Sequence, residues 1–166
     1  MSILSANLAA VEPKFVAPQD SQLEVKLVDI TVKLTKNNDP YWLARFSVLG
    51  GQVPEDQIKN MDDLFTQVWI PHERQDEKQQ ESAKRDLLAF CDGLNIEWAR
   101  DFWWVEPSDM TPKPKVFYHD NLPDEEHSEM IAGMTGLVAV NEELDKGTGQ
   151  TRNTFKAFLM PTSVPE

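Results

Sequence analysis

The sequence predicts a mainly β (α+β) protein with one helix, in which three strands precede the helix and two follow it. Three observations lead to this fold class. Five segments alternate apolar and polar residues as strands do, one segment has the apolar spacing of an amphipathic helix, and polar or glycine-containing stretches separate most of these segments. With 166 residues, 40% of them hydrophobic and 27% charged, the chain can bury a core as a single domain.

The first two strands are predicted to form a long hairpin around the polar turn Lys36 to Pro40. Before the turn, Leu23 to Leu34 is rich in strand-forming residues, and its apolar parity changes after Leu27. A change of face within one strand indicates a β-bulge, and a long bent strand is typical of small closed barrels. After the turn, Tyr41 to Leu49 alternates regularly and ends at Gly50-Gly51.

The third strand and the helix follow a polar loop. Apolar residues alternate from Leu64 to Ile70, and Pro71 ends this strand. From Asp76 to Asp92, apolar residues recur at helical spacing and form one stripe. Gly93 comes next, where a glycine C-cap is expected, so the sequence predicts that the helix ends there.

A second hairpin occupies the C-terminal part of the chain. Its strands are predicted at Gly136 to Leu144 and Arg152 to Met160, on either side of a glycine-containing turn. In the last strand, strict alternation places Phe155 on one face and both Lys156 and Phe158 on the other. Whether Phe158 packs in the core or stays on the outer face is left open by the pattern.

An aromatic-rich segment lies between the helix and the second hairpin. Glu97 to Tyr118 holds six aromatic residues among prolines and charges, which predicts a short helix followed by an irregular excursion. The consecutive aromatic residues Phe102, Trp103 and Trp104 favour a local minicore or an oligomer contact over a base-stacking platform.

The order of the elements predicts a particular barrel. Five strands with a helix between the third and the fourth is the order of the OB-fold, a five-stranded Greek-key barrel whose strand 2–3 face and L12 and L45 loops bind oligonucleotides or oligosaccharides. Here L12 would be Lys36 to Pro40, and L45 would be Asp145 to Gln150. Residues 1–21 are predicted to form an extended N-terminal arm, and residues 162–166 a short C-terminal tail. Between them, residues 22–161 form one OB-fold domain, in which residues 97–130 are an insertion between the helix and the fourth strand.

Composition excludes several classes of protein. The net charge of -12 argues against a surface that attracts nucleic acid everywhere, but a local basic groove stays open because five acids are concentrated between Asp120 and Glu129. The single cysteine, Cys91, excludes an internal disulfide and predicts a packing role in a reducing compartment, so we expect a cytoplasmic protein, in the host cell if it is viral. No apolar run approaches the ~18 residues that span a bilayer, so no membrane is expected as a partner.

The sequence predicts no catalytic residue, no metal site and no cofactor. His72, His119 and His127 have no metal-ligand spacing with one another or with Cys91. The turn at 147–149 lacks the lysine and the helix of a phosphate-binding loop, and no serine lies in a nucleophile-elbow motif. A binding protein is therefore favoured over an enzyme.

Four segments carry a resemblance to a known family. They are the turn Lys36 to Trp42, the strand end Ser47 to Gly51, the helix segment Arg85 to Leu94, and the hairpin Gly136 to Phe158. In their order and spacing, over roughly residues 22 to 161, the chain resembles phage-encoded single-stranded DNA-binding proteins with an OB-fold. The resemblance implies largely sequence-independent binding that protects single-stranded DNA in replication or recombination, with replication or recombination proteins as further partners. The aromatic-rich segment is longer than the family pattern requires, and no acidic tail like that of many such proteins follows the hairpin.

Binding of a single strand without sequence preference needs cations for the phosphates and aromatic faces for the bases. The predicted stacking residues lie on the strand faces opposite the core: Tyr41, Phe65 and Trp69. Trp42 and Phe46 are not among them, because the alternation places both in the core. The predicted phosphate contacts are the cations on the same faces or in adjoining loops: Lys33, Lys36, Arg45, Arg152 and Lys156.

Each of these residues also has a purely structural interpretation. Tyr41 could cap the hairpin, Arg45 could be a solvated surface residue, and Trp69 could pack under the helix. The alternative function is an OB-like protein–protein interaction module that docks a partner through its acidic surface and aromatic-rich segment. The exposed strand edges also leave a homodimer open.

Overall fold

The computed structural model describes residues 13–97, 103–107, 114–118 and 130–159. Within these ranges the protein is mainly β with one α-helix and an antiparallel five-stranded sheet. The tail 162–166, the start of the N-terminal arm and the whole acidic segment 120–129 lie outside the described residues.

The five predicted strands and the predicted helix are all present, with small shifts at their ends. The elements of the main fold are β1 Gln22–Leu34, β2 Pro40–Gly51, a 3₁₀ helix Glu55–Asn60, β3 Leu64–Trp69, α1 Glu77–Gly93, β6 Thr135–Leu144 and β7 Thr151–Phe158. Two further short strands, β4 Trp103–Val105 and β5 Val116–Tyr118, pair with each other. They stand where the sequence predicted a short helix and an irregular excursion, so that prediction is wrong for the described part of the segment.

The main sheet has the strand order β3-β2-β1-β6-β7, with every neighbouring pair antiparallel. β3 and β7 are therefore its two edges. Within the described ranges no hydrogen-bonded ladder joins these edges, and a cleft of about 560 Å³ is lined by residues from both. The predicted closed barrel is not seen, because the sheet curves without pairing its first and last strands.

The predicted bulge in β1 is confirmed. The pairing of β1 with β2 shifts register between Leu27 and Asp29, which leaves Val28 as the extra residue. Leu27 is fully buried, and the next buried residue of the strand is Ile30, so the core face changes parity at this point. A β-bulge has this effect because one inserted residue reverses the alternation of side chains along the strand.

The core lies between the inner face of the sheet and α1. The predicted apolar face of β2 is confirmed, with Trp42, Ala44 and Phe46 all buried. Trp42 contacts the ring of Phe90 on α1 edge to face, with a centroid distance of 5.8 Å. Cys91 is fully buried in the same core, as predicted for a packing residue.

A bulge in the second hairpin settles the position of Phe158. In the β6–β7 pairing, Ala139 opposes Ala157 and Val140 opposes Phe155, so Lys156 is the extra residue. Phe155 and Phe158 therefore both turn towards the core, where their rings contact each other at 4.9 Å. Strict alternation wrongly grouped Phe158 with Lys156.

The helix begins with a capping box. The Asp76 side chain accepts a hydrogen bond from the backbone N–H of Gln79, and the Gln79 side chain accepts one from the N–H of Asp76. This satisfies donors that the first turn of a helix leaves free.

Gly93 is the last helical residue rather than a C-cap in the left-handed conformation, and the positive φ at this end belongs to Asn95. A Cβ on Gly93 would lie 2.4 Å from Cδ1 of Phe158, and one on Gly136 would lie 2.2 Å from the Gly93 carbonyl oxygen. Both glycines therefore serve close packing of the helix end against β6 and β7.

The β4–β5 hairpin is attached to the main fold near the end of β3. The backbone N–H of Phe117 donates to the Pro71 carbonyl, at 2.8 Å. Phe117 also lies under the ammonium of Lys84, and Tyr118 packs against Trp42 edge to face. Trp104, by contrast, keeps 37% of its surface exposed. The aromatic-rich segment is thus partly a minicore and partly surface.

The described end of the N-terminal arm is tied to the second hairpin. Asn153 of β7 accepts a hydrogen bond from the Ala17 N–H and donates one to the Ala17 carbonyl, both at 2.8 Å. Asp20 donates its backbone N–H to Val140. Within the part of the chain that is described, no helix is long and apolar enough to cross a membrane.

The packing of Gly93 predicts that Gly93→Ala lowers the free energy of unfolding. Overpacking a core costs about 1–3 kcal/mol, which exceeds the up to about 1 kcal/mol that alanine gains over glycine in a helix. Urea unfolding followed by circular dichroism measures the difference. Gly50→Ala is the matched control, because a Cβ there meets no atom within 4 Å. Equal stability of both variants would contradict the close packing.

Candidate nucleic-acid interface

The solvent-facing side of β1, β2 and β3 carries most of the predicted site residues. The pairing of these strands aligns their outward side chains in three rows that cross the sheet. The rows are Lys33–Tyr41–Trp69, Thr31–Leu43–Gln67 and Asp29–Arg45–Phe65. These nine residues are called the outer face below. Because directly opposed side chains on one face of a sheet are close neighbours, each row is a local cluster.

The first row is an aromatic pair flanked by a lysine. The rings of Tyr41 and Trp69 are 5.1 Å apart between centroids and inclined by 43°. Trp69 is 36% exposed at the edge of the sheet, and the rest of its surface faces neighbours that include α1, whose Asp86 lines the same two cavities. Lys33, directly opposite Tyr41, is exposed and forms no ion pair within the described residues. This row joins an accessible aromatic surface to an accessible cation.

The third row combines an exposed aromatic ring with an engaged arginine. Phe65 is 52% exposed. Arg45, directly opposite, is in an ion pair with Asp29 at 2.8 Å and lies 3.8 Å from Asp63. Its Nε is buried with no hydrogen-bond partner. The guanidinium predicted to contact phosphate is therefore held by carboxylates of its own chain.

The remaining predicted cations lie at the two ends of the site. Lys36 is exposed in the β1–β2 turn and Arg152 is exposed at the start of β7, and neither has an ion-pair partner in the described ranges. Lys156 is exposed on the β7 bulge and forms an ion pair with Asp20. The hydrogen bond from Lys156 lowers the pKa of the Asp20 carboxyl below its ordinary value. Three of the five predicted cations, including Lys33, are thus available to a ligand.

Three cavities lie in sequence along β3 and share lining residues. The first, of about 330 Å³, separates the β1–β2 turn from α1 and has Trp69 in its wall. The second is the cleft between β3 and β7, lined by Trp69, Phe65 and Lys156. The third, of about 670 Å³, lies beside the β6–β7 turn and is lined by Phe65 and Arg152. Each cavity shares an aromatic residue with the next, so the three adjoin along β3, and together they are called the β3 groove below.

Two residues that the sequence did not suggest hold the β1–β2 turn in place. Nη1 of Arg74 donates to the Asn37 carbonyl at 2.7 Å and to Oδ1 of Asp39 at 3.1 Å. His72, only 5% exposed, lies with Nε2 3.7 Å from the same carboxylate oxygen. The turn also bonds to itself, since Oγ1 of Thr35 accepts from the N–H of Asp39. The sequence shows the polar His-Glu-Arg run after the third strand, but no local pattern indicates that His72 and Arg74 contact Asp39 in the β1–β2 turn.

His72 is neutral in this arrangement. Its Nδ1 accepts a hydrogen bond from the backbone N–H of Arg74, so the ring proton belongs on Nε2, facing Asp39. Burial lowers the pKa of the His72 imidazole below its usual value, and the attraction of Asp39 offsets only part of this effect.

The described residues contain no cluster suited to a metal ion. No group of three or more His, Cys, Asp or Glu side chains within the described ranges could hold a metal ion. Burial raises the pKa of the Cys91 thiol to about 12, with a smaller contribution from Asp92, so this thiol stays protonated and is a poor nucleophile. The outer face and its adjoining loops do offer a ligand stacking surface and positive charge.

Comparison with known proteins assigns the chain to no family. No family model matches the sequence, and no curated protein matches it. The residues of the outer face and the β3 groove are therefore the basis on which a function can be proposed.

The buried neutral state of His72 predicts a pH dependence of stability. Because the folded-state pKa lies below the unfolded value of about 6.5, the unfolded chain binds more protons between the two values. The free energy of unfolding should therefore fall as the pH drops below about 6.5, above the range where most carboxylates titrate. Urea unfolding at several pH values measures this slope. The slope should flatten in His72→Gln, and an unchanged slope in that variant would assign the effect to other groups.

Proposed function

We propose that the chain binds single-stranded DNA, largely without sequence preference, along its outer face and β3 groove. The observation that carries the proposal is the aromatic series Tyr41, Trp69 and Phe65 on two adjacent strands, in which Trp69 and Phe65 are exposed and Tyr41 is half-buried. At both ends of this series lie cations that form no ion pair within the described residues. Protection of single strands in phage replication or recombination is the role that the family resemblance implies. The proposal includes no catalytic activity and no cofactor.

The dimensions of the aromatic series suit a single strand. Phe65 and Trp69 lie four residues apart on one strand, which separates them by about 13 Å. A flexible single strand can place different bases on two such rings, and each stacked base contributes about 1–3 kcal/mol. Stacking is tolerant of sequence because every base has a π face. Two or three stacked bases then supply most of the binding energy, and the cations position the backbone.

The strand order supports an OB-fold that is open rather than closed. β1 pairs with both β2 and β6, and α1 lies between β3 and β6 in the chain, as the OB-fold order requires. The β3 groove also runs between the two loops that such a fold uses for ligands. Thr35 and Asp39 of the β1–β2 turn line its first cavity, and Thr148 and Gln150 of the β6–β7 turn line its third.

The ion pairs of the site set its electrostatic behaviour. Arg45 and Lys156 must leave Asp29 and Asp20 before they can contact phosphate, so neither cation contributes its full attraction. With a net charge of -12, the remaining surface repels a polyanion. We therefore infer that stacking contributes the larger part of the affinity, and that the salt dependence is that of few phosphate contacts.

Fluorescence anisotropy with a labelled oligo-dT of about 30 nucleotides should show binding that weakens as salt rises. A duplex of equal length should bind much more weakly, because its bases are not free to stack on the rings. Trp69→Ala should weaken single-strand binding by about 5- to 150-fold, the equivalent of about 1–3 kcal/mol. Trp104→Ala, an exposed tryptophan outside the groove, is the control and should bind like the unaltered protein. Equal affinity for duplex and single strand would contradict the proposal.

The Asp29–Arg45 ion pair predicts that Asp29→Asn tightens single-strand binding. The substitution frees the guanidinium from its nearest competitor, and a part-exposed pair is worth up to about 1 kcal/mol, so the gain should reach up to about 5-fold. Asp56→Asn removes the same charge outside the groove and measures the general electrostatic gain. Adding Asp29→Asn to Arg45→Ala should give no more than that general gain. If Asp29→Asn tightened binding as much in the Arg45→Ala background as in the unaltered protein, Arg45 would not contact the DNA strand.

A protein-docking module remains the second candidate, on one specific observation. Trp104 and Val105 of β4 are adjacent and both about two-fifths exposed, at 37% and 41%. Such a pair on a short hairpin could contact a partner or a second copy of the chain. The two functions separate in the same experiment, because a docking module would bind no DNA at low salt and would lose assembly in Trp104→Ala.

A further inference from the structure

Trp69 and Asp86 stand together where two cavities of the β3 groove meet. Both residues line the first cavity, beside the β1–β2 turn, and both line the second, between β3 and β7. Asp86 lies on α1 and its carboxylate has no hydrogen-bond or ion-pair partner within the described residues. The site thus pairs an accessible aromatic ring with an uncommitted acid, a combination that phosphate binding does not explain.

A carboxylate at this place would oppose the phosphate backbone of a strand. It is suited instead to a base edge, because Asp and Glu accept hydrogen bonds from the exocyclic amine of cytosine. The cavity walls also remove part of the hydration of the Asp86 carboxylate, and this burial raises its pKa above the ordinary value. Asp86 is nevertheless exposed, so its carboxylate is accessible to a donor on a ligand, and a hydrogen bond to an ionised acceptor is stronger than one between neutral groups.

We propose that the first cavity of the β3 groove binds one amine-bearing pyrimidine base, cytosine, with its ring on Trp69 and its exocyclic amine donating to Asp86. This inference rests on the proposed function and adds a single point of base preference to an otherwise unselective site. Thymine has the same ring size but presents a carbonyl oxygen in place of the amine, so it would face the carboxylate with an acceptor. The hydroxyl of Ser82, which also lines this cavity, is a second polar group within the pocket.

The test compares oligo-dC with oligo-dT of about 12 nucleotides, a length within the range that one OB-type site covers. Measurements at mildly alkaline pH keep cytosine neutral and Asp86 ionised. The unaltered protein should bind oligo-dC at least about 5-fold more tightly than oligo-dT, which is at the low end of the discrimination that a good base contact gives. The readout is the ratio of the two affinities, because removing any acid strengthens binding of both strands.

Asp86→Asn should bring this ratio close to one, since an amide can both donate and accept. Glu81→Gln is the matched control: it removes an acid from the same helix that lines none of the three cavities, and the ratio should stay at its original value. Trp69→Ala should lower both the affinity and the ratio. Equal affinity for the two oligomers, or a ratio that survives Asp86→Asn, would overturn the inference and leave the proposed function intact. Absence of binding to both oligomers would overturn the proposed function itself.

Discussion

The bulge in β1 is the constraint on which the rest of the structure depends. The ladder between β1 and β2 passes directly from Leu27 to Asp29, so Val28 is inserted without a partner. Before the bulge, β1 pairs with β2 on one side and with β6 on the other, whose pairing extends to Lys26. After it, β1 bends with β2 alone. One inserted residue therefore joins two hairpins into one curved sheet and gives each of them a buried face.

The same change of parity creates the outer face. It turns Asp29 and Lys33 outward, opposite Arg45 and Tyr41, and β3 extends these two rows with an aromatic residue each, Phe65 and Trp69. The outer face thus carries the acid Asp29 beside the cations Lys33 and Arg45, so it is not uniformly basic. In a chain with a net charge of -12, this arrangement makes aromatic contact the main source of attraction and leaves the cations to orient the strand.

What the sequence could predict was local. The first hairpin, the β1 bulge and the buried face of β2 follow from alternation over neighbouring residues, and all three are confirmed. The ion pair of Arg45 with Asp29 and the anchoring of the β1–β2 turn by Arg74 join residues distant in the chain, and no local pattern encodes them. The bulge at Lys156 was missed because the apolar residues on either side of it fit a regular strand as well. The position of Gly93 predicts a C-cap, whereas the close approach of Phe158 on β7 explains why a glycine stands there.

Ultraviolet cross-linking of the full chain to oligo-dT, with the linked residues identified by mass spectrometry, tests the central claim most directly. The claim is that a single strand lies along β3 on the outer face and in the β3 groove. The account predicts cross-links at Tyr41, Phe65 and Trp69, because stacked aromatic rings are in direct contact with the bases. Cross-links confined to the β4–β5 hairpin around Trp104, or no cross-link to any residue at low salt, would contradict it.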